Sequence, residues 1–548
     1  MKPRNAWDRT LERHLGRRRF IKGLGLAAAG LALAPTIGCQ ESTTVTTPAA
    51  GGSVGALTPS AGGQPTPTPV KGGTLNVAQA SDLAPKTAVF TISPTNAFVT
   101  ATVYEKLMHY KSDKFEPELE LAESLTFAPD YKSLTIRLRS GVKFHTGRAL
   151  TADDVKWNLQ MLADPANGSQ LLNFAKWVQK IETPDPLTLV LYFDQARPSF
   201  LDTLEYMLTA DKETYEDTLN GKTFVGTGPF KFKEWVPGDH FTLVRNPDYW
   251  QKGRPYLDEI TVRVLPEQQT QLINLQTGAT DVAMNVDPRD AKDMEKDAKY
   301  RVVVAPVFTT LWYVGCDVKA PPFTDKRVRQ AIAYLIDRKR IVDTLLFYGV
   351  PTVLPWHETS PAYTPELANA YAYNPAKAKE LLQQAGVTGE VSFPYTVSAA
   401  YVPTHGIAEL VQGEMAKLGL KASIERLQHP DFLTKLNGAK FGGIWSSGVG
   451  FMHLEPSTLF VMSFPYRVPN SSGYDTPEYR QLIDQMLNTT DAAAKKQVYK
   501  KMNELLLDEC FMIPINGVQT PVAMSAKIQD FATTRSGQLL LGETWKSK

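Results

Sequence analysis

Cysteine is almost missing from this chain, with three in 548 residues. So few exclude a disulfide framework and leave no Cys-based metal pattern. Cys316 and Cys510 read as buried small hydrophobes or, if their Cα atoms come close enough, as a pair. Histidine is sparse too: the eight are dispersed, with no His-x3-His pair and no acidic cluster at ligand spacing. The sequence therefore implies no metal and no cofactor. From Val70 onward there is no Gly-x-Ser-x-Gly elbow, no His-Glu-x-x-His and no Ser-x-x-Lys set with its companions. No carboxylate pair stands apart as acid and nucleophile, so nothing singles out an enzyme. Surplus charge is missing as well. Of 59 Lys/Arg and 57 Asp/Glu, eight and two fall in residues 1–38, leaving 51 against 55 for the rest. Without a basic surplus the body makes no case for nucleic acid. Beyond residue 38 no apolar stretch is long enough to cross a bilayer.

What stands at the start is an export signal. Residues 23–34 form an apolar run of 12, short of the roughly 20 residues a helix needs to span the hydrocarbon core. A basic head, a short apolar middle and small residues at the end read as a secretory leader over residues 1–38. Arg17-Arg18-Arg19-Phe20-Ile21-Lys22 resembles the twin-arginine export motif. Thr36-Ile37-Gly38-Cys39 resembles a lipobox, in which Cys39 is acylated and becomes the N-terminus; Thr36 stands where that motif usually has Leu. Residues 41–69 are almost entirely Ser, Thr, Pro, Gly, Ala and Val, with Glu41 the only charge. Such a segment cannot bury enough apolar surface to offset its ordering entropy. Residues 39–70 are therefore expected to be a flexible tether between a lipid anchor and a globular body outside the cytoplasm, at the outer face of the cytoplasmic membrane.

The body is too long for one core and implies two or three domains. Strand and helix patterns alternate along it, which points to α/β layers. The first half reads as a strand at 71–78, a helix at 96–108, a strand at 133–139 and hairpins at 178–193 and 228–245. Thr151 is placed to cap a helix, with Asp153 and Asp154 at the positive end of its dipole. Helices at 325–348, 375–385, 404–418, 477–487 and 491–508 dominate the second half, with short apolar strands at 391–397 and 421–427 between them.

Three segments in order carry a resemblance. They are LRSGVKFHTG at 138–147 with LTADDV at 150–155, GTGPF at 226–230 with NPDYW at 246–250, and PFTDKRVRQA at 322–331 ending in Ile336-Asp337-Arg338. Together they resemble the extracytoplasmic solute-binding proteins of ABC importers, in the peptide- and nickel-binding group known as bacterial family 5. The residues themselves read as scaffold: Gly226 and Gly228 suit a turn, Pro229 stiffens it, and Arg327 and Arg329 suit contacts between elements. The resemblance implies a two-lobed α/β clam-shell (type II periplasmic-binding fold) with an extra subdomain in the first lobe and ligand held between the lobes. Residues 71–110, 222–305 and 512–548 would form lobe I, residues 111–221 its extra subdomain, and residues 306–511 lobe II. Segments 308–314 and 511–516 would be the hinge strands, hinge closure the main motion, and a membrane ABC permease the partner of a monomeric binding protein.

The loop GVGFMHLEPSTLF at 448–460 departs from the family's pattern. Peptide-binding relatives carry a Trp and an Asp shortly before an acidic-Pro pair, and the Asp pairs with the peptide's α-amine. With Glu455-Pro456 as that pair, Val449 falls at the Trp position and Met452 at the Asp position. A thioether cannot balance a buried ammonium, and leaving that charge unpaired costs several kcal/mol, of order 3–5, unless Glu455 takes over. Trp312, Trp445, Tyr401 and, less strongly, Phe90 offer aromatic faces for ligand or for core packing. His453 is placed to touch ligand or a metal chelate, or to sit in a solvent-facing loop; His145 belongs with the scaffold motif. A peptide-like or other oligomeric organic solute is the expected ligand. An oligosaccharide or glycoside, a metal chelate, an extracytoplasmic hydrolase, and a surface adhesion or sensing module are the alternatives.

Overall fold

The computed structural model describes residues 68–90 and 94–548. The leader at 1–38, Cys39 and nearly all of the tether lie outside the described residues. Two large mixed sheets and a smaller antiparallel one organise the rest.

The first large sheet runs in the order Tyr300–Val303, Val522–Ser525, Val282–Ala283, Thr74–Gln79, Glu259–Val264, His240–Arg245, Phe230–Val236. Thr74–Gln79 lies parallel to both its neighbours, and its Leu75 and Val77 are fully buried, as expected of a central parallel strand. The second runs Val350–Pro351, Met512–Val518, Thr310–Cys316, Ile444–Val449, Val391–Ser398, Leu420–Leu427. The helices Lys326–Leu335, Pro375–Gln384, Val402–Ala416, Pro477–Asn488 and Ala492–Glu509 pack around it. The smaller sheet, in the order Ala122–Phe127, Ser133–Leu138, Thr188–Phe193, Val178–Asp185, has its own core with the helix Ala152–Ala163. Thr151 and Asp154 form the capping box that starts this helix.

The chain crosses between the two large sheets through residues 304–309 and 519–521. Gln519 Nε2 donates to the Ala305 carbonyl at 3.1 Å and ties the crossings together. Thr310–Cys316 and Met512–Val518 themselves pair along their length in the second sheet, so the free backbone lies just outside the segments 308–314 and 511–516. By the same pairing residues 512–518 go with the second lobe rather than the first. The helix expected over 96–108 ends early, at Ala97–Thr102. Its next carbonyl, of Val103, is taken by the Gly228 amide at 3.0 Å, and the chain then runs on to the strand Met108–Tyr110. Cys316 and Cys510 are free and buried; burial pushes both thiols up to about 12.

The recurring segments are scaffold. His145 Nε2 lies 3.0 Å from the Gly228 carbonyl, and Asn246 Nδ2 donates to the same oxygen at 3.0 Å. Burial pushes the His145 imidazole down to about 4. Arg148 grips Asp154 with two hydrogen bonds of 3.0 and 2.9 Å. Arg329 holds Glu509 at 2.8 Å, and Arg338 donates to the carbonyls of Pro514, Thr352 and Tyr371. A Cβ at Gly228 would lie 2.3 Å from the Thr102 carbonyl oxygen and at Gly226 2.2 Å from that of Val103. Gly413, inside the helix Val402–Ala416, meets nothing within 4 Å. Urea melts should therefore separate the two kinds of glycine. Gly228→Ala is expected to lose about 3 kcal/mol by overpacking, while Gly413→Ala gains about 0.5–1 kcal/mol.

Candidate functional site

The loop after Ile444–Val449, from the second large sheet, reaches the helix Leu201–Tyr206, which packs with the small sheet expected to form the extra subdomain. The loop is bent by Phe451, whose φ is +74°, a conformation uncommon for a bulky side chain. Phe451 and Leu454 then pack against the extra subdomain's core, with Phe451 edge-on to Tyr206 at 6.1 Å. His453 Nε2 and the Tyr206 hydroxyl are hydrogen-bonded. The Glu455 amide donates to Asp202 Oδ2 at 3.0 Å and the Thr458 hydroxyl to the same oxygen. Tyr110 donates its hydroxyl to Asp202 Oδ1 at 2.9 Å. A third element joins them: Arg535, from the C-terminal segment, donates Nε to the His453 carbonyl at 2.9 Å.

Water is excluded here, and the ionisable groups respond. Burial, and then the nearby charges of Arg535 and Lys106, push His453 down to about 3, so the imidazole is neutral. Burial, and then Glu455, push Asp202 up to about 8. Burial drives the Tyr206 phenol well above its ordinary value. Among the described residues no group of three or more His, Cys, Asp or Glu is arranged to hold a metal ion.

The expected site residues divide into three sets. Trp445 is wholly buried, stacked on Phe441 at 4.2 Å and lying across Gly315; it packs the core rather than a cleft. Val449 and Met452 are in the same core, and Phe90 is in the extra subdomain's, edge-on to Tyr215. Glu455 and His453 stand at the junction, His453 buried rather than facing solvent. Glu455 is already engaged. It caps the helix Pro456–Met462 by accepting from the Ser457 amide at 2.9 Å, accepts from the Tyr499 hydroxyl, and lies 2.9 Å from the Lys495 ammonium. The third set keeps partly open faces. Trp312 lies over Gly448 and 5.9 Å from Tyr401, which is edge-on to His429.

Sequence reasoning missed Asp202, Tyr206, Lys106 and Arg535. Asp202 and Glu205 lie in the short helix Leu201–Tyr206, whose polar residues carry no periodic mark, yet the fold buries both, and a buried carboxylate must have a reason. Arg535 sits in a polar stretch with no such mark.

Two measurements check this junction. Glu455→Gln, by leaving Lys495 without its counter-charge, should cost about 3 kcal/mol in denaturant melts. Asp202 is raised from 3.8 in the unfolded chain to about 8 in the folded one. Its stability contribution is therefore whole below about pH 4 and is lost as the pH rises towards 8. Melts at pH 5 and pH 8.5 should show that Asp202→Asn loses less over this interval than the parent chain.

Three comparisons bear on the arrangement. The family model for bacterial extracellular solute-binding proteins, family 5 (middle), matches residues 116–468. The glutathione-binding protein GsiB of Escherichia coli (strain K12) is 29% identical over 412 residues, covering 72% of this chain and 79% of its own. The substrate-binding protein CtaP of Listeria monocytogenes superposes with a TM-score of 0.78 at 22% identity, over 87% of this chain and 100% of that one. The DppA protein of Helicobacter pylori, an ABC-transporter-associated periplasmic binding protein solved with the peptide STSA, gives 0.71 at 22%, over 87% and 99%.

Proposed function

This chain belongs to the bacterial extracellular solute-binding proteins of family 5, and from that premise we propose that it is the substrate-binding component of an ABC importer. It captures a peptide-like solute between its two lobes and hands it to a membrane permease. It is not an enzyme: it binds, closes and releases. The observation that carries the reading is the junction of two separately built sheets, joined by two short crossings that hydrogen-bond to each other. Such a pair of crossings is where a hinge bends, and the loop at 450–455 faces the extra subdomain on the other side of the gap it would open. The names of GsiB and DppA's bound STSA support a peptide-like ligand. Trp312 and Tyr401 supply aromatic faces for it. The leader at 1–38 and Cys39 are in keeping with an exported monomer held at the membrane by a lipid.

One observation favours a second ligand class. With Glu455 engaged by its cap, Tyr499 and Lys495, and with Met452 in the core, this loop offers no spare carboxylate to an α-amine. An oligosaccharide or glycoside needs none.

Calorimetry on the full chain, with glutathione, tri- and tetrapeptides and neutral oligosaccharides, tests the proposal. Binding of a peptide in the micromolar range, weakened about tenfold by Trp312→Ala, is the expected result. Binding of oligosaccharides alone would replace the ligand class and leave the transport role in place. Binding of neither class would sink the peptide reading.

A further inference from the structure

Among the described residues Arg535 is a buried cation whose guanidinium lies over the Phe115 ring, 5.6 Å from its centroid, with most of its donors unused. It sits at the tip of the hairpin between Ala532–Thr533 and Leu539–Leu540, 1% exposed. The tip is rigid: Thr534 and Gln538 close it by a 2.7 Å backbone hydrogen bond, and the Arg535 amide donates to the Tyr110 carbonyl. Nε is used by the His453 carbonyl, but Nη1 and Nη2 are buried with no hydrogen-bond partner. A second cation lies in the same neighbourhood. The Lys106 ammonium is buried and also lacks a hydrogen-bond partner; it stands 3.8 Å from Glu205 Oε1, an ion pair without a hydrogen bond. Both cations act on His453.

Burying a guanidinium costs several kcal/mol, of order 3–5 without its counter-charge. The acids around it, Glu205 and Asp113, act on the guanidinium through space but accept no hydrogen bond from its fork. Glu205 is occupied by the Tyr110 amide and the Ser536 hydroxyl as well as Lys106. Asp202 is held largely protonated below about pH 8. The fork of Arg535 presents two parallel N–H donors, the geometry that fits a carboxylate. It lies against His453, where the two lobes meet.

We propose that Arg535, with Lys106 beside it, anchors a carboxylate of the captured solute at the junction of the lobes. This rests on the solute-binding reading and narrows it: the solute carries an acid, and that acid enters between the C-terminal hairpin and the 450–455 loop. Anchoring there links capture to closure, because the same guanidinium touches His453 on the opposite lobe.

Calorimetry and thermal melts on the full chain separate the possibilities. The probes are tetra-alanine as free acid and as C-terminal amide, together with succinate and citrate. The free acid should bind the parent chain roughly 30-fold more tightly than the amide, the size expected for a charge-assisted hydrogen bond. Arg535→Met should remove that difference, and Arg535→Lys should keep part of it. Without any probe, Arg535→Met should melt only a little lower than the parent, by the loss of the Nε bond to the His453 carbonyl, since the rest of its donors make no hydrogen bond within the fold. Arg535-dependent binding of succinate or citrate but not of either peptide would uphold the anion site and overturn the peptide reading. Equal binding of acid and amide would overturn the site and leave that reading standing. The site also fails if carboxylate binding survives in Arg535→Met, if no carboxylate probe binds, or if that variant melts far lower.

Discussion

The contact between the 450–458 loop and the helix Leu201–Tyr206 is made largely of groups that lose free energy by leaving water. A neutral imidazole, a protonated carboxyl and a phenol meet there, beside a guanidinium and an ammonium. Against that cost stand Leu454, buried in the extra subdomain's core, and Phe451, partly buried against it. Full burial of a side chain such as Leu454 yields about 1.5–3 kcal/mol, and partial burial less. The opposing polar terms are of similar size, so the join is finely balanced. A balanced join can be tipped by a solute that makes modest contacts with both sides, whereas an all-apolar one would stay shut.

A finely balanced junction works only if the bodies it joins are stiff. The recurring segments supply that stiffness, and they do so with backbone rather than surface chemistry. Gly226 and Gly228 let one strand of chain lie against the carbonyls of Thr102 and Val103, and His145 and Asn246 lock the Gly228 carbonyl from the other side. Arg338, deep in the second lobe, donates from Nε and Nη1 to carbonyls of separate segments, among them those of Pro514, Thr352 and Tyr371. Phe308, at the end of one crossing, lies against Gly517, where a Cβ would come within 2.0 Å of its ring. Residues 304–309 and 519–521 are the two backbone crossings between the sheets that these contacts flank.

Much of this architecture was legible in the residues. Period-two and helical patterns located most elements, while the helix expected over 325–348 is broken at Ile336-Asp337. The shortened helix after Asn96 was not legible, because what ends it is a carbonyl captured by Gly228, distant in sequence. The site was read less well for the same reason. Trp445 was weighed for its aromatic face and Met452 for its place in the loop, yet Phe441 and the second-lobe core claim them. Arg535 lies in a short polar hairpin and becomes meaningful only once the fold sets it against His453.

The distribution of charge across the junction also bears on which end of a solute enters first. The loop's one acid, Glu455, is turned into its own lobe, where Lys495 and Tyr499 hold it. Reorienting it to meet an ammonium would unpair Lys495 and uncap the helix Pro456–Met462, two costs at once. On the facing side, cationic donors stand without hydrogen-bond partners. An anionic group therefore meets donors already placed, and an amine meets a carboxylate that must first abandon its partners. With the anion anchor proposed at Arg535, the junction would favour acid over amine, and a peptide would enter it carboxylate first.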